Sequence, residues 1–371
     1  MFNLNKDPMK TQRNKKIELK KQNFDGKTIF CGIDCHKKSW SISIYIDSSY
    51  YTYIHQVPDA EALKKYLTDN FPGAKYISCY EAGFTGFSIQ RKLTALGIEC
   101  IVVNPADVPK TNKDTFSKND RNDSKMLAEA LSKGMLRGIN IPTEELESDR
   151  RMMRYRKYVQ KNLAAKRNTI KGLLFSSGIK IPENMDNSHV SKNYIVWLKK
   201  IDFGYSTIRF TLDQMIADME YLRRKLLDLN KQIRKLSKEE KYKSLYDILL
   251  SVPGIGLITA MTMITEIGDI NRFQSFNKFN SFIGLCPSEF SSGEKDRKGK
   301  ITPRSHKAIR ELIIEAAWVA KKHDPALAYK YSDLIKRMNG KRAIIVVARK
   351  LLSRIYAVWT IKSQYITGIQ Q

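Results

Sequence analysis

The chain has 371 residues, of which 42% are hydrophobic, so it is long and apolar enough to form two or three folded domains. Its 65 Lys and Arg against 38 Asp and Glu give a net charge of +27, which indicates an anionic partner, most commonly nucleic acid, with an anionic membrane surface as the alternative. The sequence shows neither a membrane-spanning stretch nor a secretory signal, so we expect a cytoplasmic protein whose residues 1–26 form a flexible basic arm.

Residues 27–148 alternate between segments typical of strands and of helices. Three strands in a meander, followed by alternating helices and strands, predict a mixed α/β domain. The predicted strands are Thr28–Asp34, Trp40–Asp47, Tyr51–Gln56, Tyr76–Tyr80 and Glu99–Val103, and the predicted helices are Ala60–Asn70, Phe87–Leu96 and Asn119–Lys133.

Residues 149–244 are predicted to form basic helices and a coiled coil. Between 150 and 180 the sequence has ten Lys and Arg and no acidic residue, which favours contact with phosphates over an ordinary solvated basic surface. The residues assigned to nucleic-acid binding here are Arg150, Arg151, Arg154, Arg156, Lys157, Lys161, Lys166, Arg167 and Lys171.

A heptad seam follows in the same region. Its apolar residues are spaced alternately three and four apart, which predicts a coiled coil and hence an oligomer, either a dimer or a tetramer. The alternative is a single long helix packed on its own domain by an apolar stripe. The seam consists of Leu212, Met215, Met219, Leu222, Leu226, Leu229, Ile233 and Leu236.

Residues 245–371 are predicted to form a mainly α-helical domain. The turn Ser251-Val-Pro-Gly-Ile-Gly256 leads into the apolar segment Leu257–Ile267. A glycine-rich turn that enters a helix can present free N–H groups to a phosphate, so Gly254 and Gly256 are candidate nucleic-acid contacts. A plain turn between two helices fits the same pattern.

Four carboxylates stand at positions that suit a metal site. Asp34 ends the first predicted strand and Glu81 follows the fourth, and in a ribonuclease H-like sheet these strands would be parallel neighbours. Asp120 and Asp123 lie three apart at the start of a helix and therefore share a face. Such carboxylates repel each other unless cations hold them, and oxygen ligands suit Mg²⁺ or Mn²⁺. Helix N-capping is the alternative role for Asp120.

Ser292 is a candidate nucleophile in a basic part of the C-terminal region. A serine that attacks DNA needs nearby positive charge for the transition state, although a serine in a solvated turn gives the same local pattern. The neighbouring basic residues assigned to nucleic-acid binding are Arg297, Lys298, Lys300, Arg304 and Arg310.

Taken in order, these motifs resemble the IS110 family of insertion-sequence transposases, which are related to Piv-type invertases. The resemblance covers residues 32–318. It is carried by Gly32-Ile-Asp34-Cys-His-Lys37, Tyr80-Glu81-Ala-Gly83, Asn104-Pro105, Lys118-Asn-Asp-Arg-Asn-Asp-Ser124, Pro253-Gly-Ile-Gly256, Phe282-Ile-Gly-Leu-Cys-Pro287, Ser292-Gly293, and Gly299-Lys-Ile-Thr302 with Arg310.

The resemblance implies a RuvC-like, ribonuclease H-like N-terminal domain with Asp34, Glu81, Asp120 and Asp123 as a metal-binding DEDD set, and Ser292 as the nucleophile. The family pattern differs at Ser124, where Ala is usual, and at Pro303 and Ser305, where Lys and Gly are usual.

The resemblance also implies partners and a mechanism. The partners are donor DNA, target DNA and a structured guide RNA, the bridge RNA, whose base pairing reads the sequence as in other guided systems. A serine–DNA covalent intermediate is implied, and the location would be the bacterial nucleoid. The alternatives are a RuvC-type hydrolytic junction resolvase, which needs only the carboxylates, and a non-enzymatic architectural protein that binds nucleic acid.

Overall fold

The structure is a computed structural model that describes residues 24–109, 119–186, 190–292 and 295–367, with only the backbone described for 288–292 and 295–300. Nearly all of the expected basic arm, residues 1–26, lies outside these ranges. The chain divides into two compact units, Met1–Ile141 and Pro142–Gln371. The helices of the expected middle region belong to the second unit, together with the C-terminal helices.

The strands and helices of the first unit confirm the predicted alternation, with ends that differ by no more than two residues. They are β1 (Thr28–Cys35), β2 (Trp40–Ile46), β3 (Ser49–Gln56), α1 (Ala60–Asn70), β4 (Lys75–Glu81), α2 (Ser88–Ala95), β5 (Glu99–Val103) and α3 (Asp120–Ser132). The sheet order is β3-β2-β1-β4-β5. β2 is antiparallel to both β1 and β3, whereas β1, β4 and β5 are parallel.

The central strand β1 is covered on both faces because its side chains alternate between two cores. Ile29 and Ile33 are fully buried in a core that includes side chains of α1 and α2. On the opposite face, Gly32 lies against α3. Asp34 is two residues further along β1 and therefore also faces the side of α3.

Gly32 allows α3 to approach the sheet very closely. A Cβ atom at this position would stand 2.2 Å from the backbone nitrogen of Ala128 and 2.3 Å from the carbonyl oxygen of Ser124. The buried hydroxyls of Ser43 in β2 and Ser124 in α3 are 2.9 Å apart and hydrogen-bonded. Ser124, where the family usually has Ala, therefore has a partner for its buried hydroxyl, and this departure fits the packing of α3.

The second unit is mainly α-helical, as predicted, with one two-stranded hairpin. Its elements are α4 (Glu144–Ser176), α5 (Lys192–Lys199), α6 (Ser206–Leu236), α7 (Glu240–Leu250), α8 (Leu257–Ile267), α9 (Phe276–Ile283), β6 (Pro287–Ser292), β7 (Lys295–Ile301), α10 (Lys307–His323), α11 (Pro325–Ile335) and α12 (Gly340–Ile361). Within the described ranges, no helix is both long enough and apolar enough to cross a membrane.

The predicted heptad seam lies on α6, and α6 packs mainly against α4 of the same chain. Leu212, Met219 and Ile233 are fully buried, whereas Leu226 and Leu229 in the middle of the seam are only half-buried. The apolar stripe is therefore used at least partly for packing within the chain, which is the alternative that the spacing left open. A coiled coil between copies of the chain remains a prediction.

Two cores stabilise the second unit. The larger core joins α7 to α12 and includes the fully buried residues Leu249, Met261 and Leu351. A smaller one lies where α5 packs against the end of α4 and the start of α6, around Leu174 and Leu198. The middle helices therefore have a core of their own at one end and join the larger core at the other.

The hairpin of β6 and β7 was not predicted from the sequence. β6 is antiparallel to β7, and Ser292 pairs with Lys295 at the end of the ladder. Both strands are mostly polar, so the alternation of apolar and polar residues that identifies a half-buried strand is missing. The Gly at position 293 between them is a hairpin signal in the sequence, but it is a weak one.

Candidate active site

Asp34 and Glu81 lie at the same edge of the N-terminal sheet. In the parallel pair β1 and β4, Ile33 is opposite Tyr80, so Asp34 and Glu81 occupy the next equivalent positions. Equivalent residues in neighbouring strands point to the same face, which here is the face that α3 covers. Both side chains are half-buried. The register of the sheet therefore places these two carboxylates at neighbouring positions on one edge.

The start of α3 supplies the other two carboxylates. The helix is capped by Asn119, whose side-chain oxygen accepts a hydrogen bond of 2.8 Å from the backbone nitrogen of Asn122. Asp120 therefore does not serve as the cap, which was the alternative role for its carboxylate. Close packing of α3 on Gly32 places this end of the helix beside the end of β1.

Three potential ligand groups meet at this edge. One ligand atom each from Asp34, His36 and Asp120 lies within 4.8 Å of the others. His36 Nε2 is 3.0 Å from Asp34 Oδ2 and 3.4 Å from Asp120 Oδ1. Glu81 and Asp123 are outside this tight set among the described residues, although the charge of Asp123 acts on Asp34.

At Asp34, burial and neighbouring negative charge outweigh the effect of His36 among the described residues. Burial raises the pKa of Asp34; the neighbouring His36 lowers it, and the negative charges of Asp120 and Asp123 raise it. The net pKa is above the ordinary value because the carboxylate loses water and faces other carboxylates. A divalent cation would relieve both effects, and carboxylate oxygens with an imidazole nitrogen suit such an ion. The donor set therefore fits a divalent metal.

His36 was not among the residues predicted for the site. It lies in the motif Gly32-Ile-Asp34-Cys-His-Lys37, two residues after Asp34, and residues two apart in a strand share a face. This two-residue spacing from Asp34 is the feature of the sequence from which a role for His36 in the site could have been predicted.

The C-terminal serine candidate lies at the end of β6, in the hairpin rather than in an irregular loop. The side chains of Ser292, Arg297, Lys298 and Lys300 lie outside the described part of the structure. The roles predicted for these four residues therefore remain predictions.

Near the start of α4, two of the predicted nucleic-acid contacts belong to an ion network around the buried Glu266. Arg150 is 9% exposed and donates hydrogen bonds to the carbonyl oxygens of Thr265 and Glu266 in α8. Arg154 binds both carboxylate oxygens of Glu266 at 2.7 and 2.8 Å, and His306 Nε2 lies 3.2 Å from the same carboxylate. Arg150 therefore joins α4 to α8 instead of standing free for a phosphate.

Glu266 is strongly stabilised in its charged form. Burial by itself raises its pKa, but the hydrogen bonds and charges of Arg154 and His306 outweigh that effect and lower the pKa to about 2. The network connects α4, α8 and the residue that precedes α10, all within the second unit.

The remaining basic residues of α4 mostly have partners within the chain. Their partners lie in α4 itself, on other helices or in a turn, and most of them are acidic, so a run of basic residues in the sequence does not produce a purely basic surface. The pairs are Arg151 with Glu147, Arg156 with Asn230 and Gln160, Lys157 with Glu311, Lys166 with Asp218, and Lys171 with Asp186. Arg167 is half-buried and Lys161 is exposed.

Gly254, one of the two candidate glycines, has a structural role. It has a φ of +84°, and a Cβ atom there would lie 2.3 Å from the carbonyl oxygen of Ala316 in α10. Gly256 precedes α8 and has no atom within 4 Å of its Cβ position, so the start of that helix is open on this side.

The last two predicted basic contacts lie after the hairpin. Arg310 donates hydrogen bonds to the carbonyl oxygens of Gly284 and Thr302, at 3.3 and 2.9 Å, and so ties the base of the hairpin to α9 and α10. Arg304 is exposed. At Ser305, where the family usually has Gly, the side chain packs against Gly284, which itself has a φ of +83°.

Two family models match the chain. The first match lies mostly in the first compact unit and the second lies within the second unit. A DEDD transposase model of IS110 elements matches residues 31–177, which include Asp34, Glu81, Asp120 and Asp123. A model described as "Transposase IS116/IS110/IS902 family" matches residues 246–332, which include Ser292.

Several curated relatives are also transposases. The transposase of insertion sequence IS1533 from Leptospira borgpetersenii is 25% identical over 88% of this chain and 94% of its own length. That of IS1111A from Coxiella burnetii is 26% identical over 75% of this chain and 76% of its own. A protein of Sinorhizobium fredii named as transposase y4qE is 28% identical over 65% of this chain, and the chain covers 57% of its length. This chain therefore carries, in order, both transposase domains of the IS110/IS116/IS902 family of insertion sequences, and transposases of this family are enzymes that cut and rejoin DNA.

Proposed function

We propose that the chain is an RNA-guided DNA recombinase that uses a metal-binding carboxylate site and a serine nucleophile. The observation that supports the metal-binding part of this proposal is the meeting of Asp34, His36 and Asp120 at the edge where Glu81 also lies. Enzymes of the DEDD transposase class use divalent metal, and we propose Mg²⁺ or Mn²⁺ here.

The sheet order supports a ribonuclease H-like, RuvC-like domain. Three antiparallel strands followed by two parallel ones put the ends of β1 and β4 at the centre of the sheet. Asp34, Glu81, Asp120 and Asp123 would hold the metal, which would polarise a phosphodiester and stabilise the oxygen that leaves it. Asp34 and Asp120 supply the charge, and the packing of α3 on Gly32 fixes their separation.

Ser292 is the proposed nucleophile. Its Oγ would attack the scissile phosphorus, so that a P–Oγ bond forms while the bond to the 3′ oxygen breaks. The serine proton would pass through a base to the 3′ oxygen, which leaves as a hydroxyl. The 3′-hydroxyl of another strand would then attack the phosphoserine and release Ser292. Each step exchanges one phosphate ester for another, so rejoining needs no ATP.

The surface of α4 supports contact with nucleic acid. Tyr155 and Tyr158 are stacked with ring centroids 6.1 Å apart and are 40% and 59% exposed. Exposed aromatic rings beside cations suit the stacking of unpaired bases. We propose that the exposed cations, including Lys161 and Arg304, grip phosphates of the donor DNA, the target DNA or a structured guide RNA.

We also propose that the chain forms a dimer or tetramer. The supporting observation is that Leu226 and Leu229 remain half-buried and Leu227 is 48% exposed in the middle of α6. Light scattering of the purified protein tests this proposal. The wild type should have the mass of two or four chains, and a mass of one chain would contradict the proposal. Leu226→Ser with Leu229→Ser should lower the mass to that of one chain, and an unchanged mass would contradict the role of α6.

The serine step has a direct test. Ser292→Ala should abolish the covalent protein–DNA adduct with a nicked or branched donor substrate, while RNA that co-purifies with the protein stays bound. Ser291→Ala is the matched control and should keep the adduct. Cleavage without an adduct in the wild type, unchanged in Ser292→Ala, would favour the hydrolytic resolvase of the RuvC type.

RNA guidance is tested separately by sequencing RNA that co-purifies with the chain. We expect one abundant structured RNA whose loops match the element's ends and its insertion site. Tight binding of branched DNA without a specific RNA would contradict guidance.

A further inference from the structure

His36 lies beside Asp34 and Asp120 at the edge of the N-terminal sheet, but it is not one of the four predicted carboxylate ligands. Its Nε2 atom lies between two carboxylates, 3.0 Å from Asp34 Oδ2 and 3.4 Å from Asp120 Oδ1. A surface ion pair needs one carboxylate and contributes about 0–1 kcal/mol. A ring nitrogen between two carboxylates instead occupies the position expected of a third ligand to a cation that the two carboxylates share.

The backbone holds His36 in this position. Cys35, the last residue of β1, pairs with Trp40, the first residue of β2. Between them, the backbone nitrogen of His36 donates a 3.0 Å hydrogen bond to the carbonyl oxygen of Ser39. The tight turn between the two strands therefore begins at His36 itself. His36 directly follows β1, and its contacts with Asp34 and Asp120 place its ring on the face that α3 covers.

The chemistry of the donors gives the site a preference among metals. Mg²⁺ prefers oxygen ligands and keeps several waters, whereas imidazole nitrogen suits transition metals and carboxylate oxygen suits both Mg²⁺ and Mn²⁺. We propose that His36 Nε2 is a direct ligand of the divalent ion, together with Asp34 and Asp120. The mixed nitrogen and oxygen set then selects Mn²⁺ over Mg²⁺. This inference rests on the proposed metal site and adds a ligand and a selectivity to it.

The test uses the full-length protein with Mn²⁺ alone as the probe. Pulsed electron paramagnetic resonance of bound Mn²⁺ should show coupling to a directly bound ¹⁴N nucleus in the wild type and lose it in His36→Asn. His55→Asn is the matched control, because His55 is an exposed histidine of the same sheet that contacts Ser41. The control should keep the nitrogen coupling.

Calorimetry supplies the second readout. His36→Asn should weaken Mn²⁺ binding by about tenfold or more and Mg²⁺ binding by much less, as expected when a nitrogen ligand is lost. Mn²⁺ that binds the wild type without nitrogen coupling, and is lost in Asp34→Asn, would overturn the role of His36 and leave the carboxylate site intact. Wild-type protein that binds no Mn²⁺ or Mg²⁺ would overturn both.

Discussion

Two carboxylate sites in this chain have opposite electrostatics. At the edge of the N-terminal sheet, Asp34 lies beside Asp120, and burial and the nearby carboxylates raise its pKa even though His36 lowers it. In the second unit, Glu266 is bound by Arg154 and His306, and its pKa is lowered to about 2. Among the described residues, the negative charge of the first site is largely uncompensated and suits an external cation, whereas that of the second is neutralised by Arg154 and His306. Acidic residues bind metal where the fold leaves their charge uncompensated.

The largest effect is expected when the uncompensated site loses a carboxylate. Asp34→Asn should lower the rate of DNA cleavage by roughly 1,000-fold or more, because the metal that stabilises the transition state is no longer held. Its stability without metal should not fall, since a repulsive charge has been removed. A gel assay of donor cleavage and a thermal melt without metal measure the two quantities. Cleavage within a few-fold of the wild type would contradict the metal role.

The compensated site should respond in the opposite way. Glu266→Gln leaves the buried guanidinium group of Arg150 without its carboxylate, and breaking a buried pair costs roughly 3–5 kcal/mol. The exposed Arg154 adds little to this cost. Urea titration should show this loss in the free energy of unfolding. Glu311→Gln, at an exposed ion pair with Lys157, is the matched control and should cost no more than about 1 kcal/mol. Equal effects from both would contradict the assignment of Glu266 to a structural network.

The pH dependence sharpens the same contrast. The pKa of Glu266 is about 2 in the folded chain against an ordinary 4.5, so its contribution to stability is complete above pH 4.5 and is lost as the pH falls from 4.5 towards 2. The stability difference between the wild type and Glu266→Gln should therefore be constant near neutral pH and shrink below pH 4.5. A difference that grows on acidification would contradict the sign of this pKa shift.

Smaller effects are expected from two glycines that differ in their surroundings. Gly32→Ala places a Cβ against the backbone of α3, so α3 must move away, at a cost of about 1–3 kcal/mol and with weaker metal binding. Gly172→Ala, in α4 with no atom within 4 Å of its Cβ position, should raise stability by about 1 kcal/mol. Denaturation and Mn²⁺ titration of both variants measure these changes. Normal metal affinity in Gly32→Ala would show that α3 does not set the site.

The sequence was most informative where local patterns determine structure. Alternating residues predicted the strands of the N-terminal sheet, and the positions of Asp34 and Glu81 at strand ends predicted that they share an edge. The hairpin around Ser292 was missed because its strands are polar. The basic residues of α4 were interpreted from their sequence neighbours, yet partners such as Asp218 and Glu311 lie on other helices. Such pairs depend on tertiary packing, which local charge patterns do not reveal.

The most direct test of the contrast between the two carboxylate sites is a calorimetric titration of Mn²⁺ into the wild type, Asp34→Asn and Glu266→Gln under one set of conditions in which all three remain folded. We expect the wild type and Glu266→Gln to bind the ion with similar affinity, and Asp34→Asn to show no binding at this site. Unchanged binding by Asp34→Asn, or an equal loss in Glu266→Gln, would contradict the assignment of the metal to the N-terminal edge.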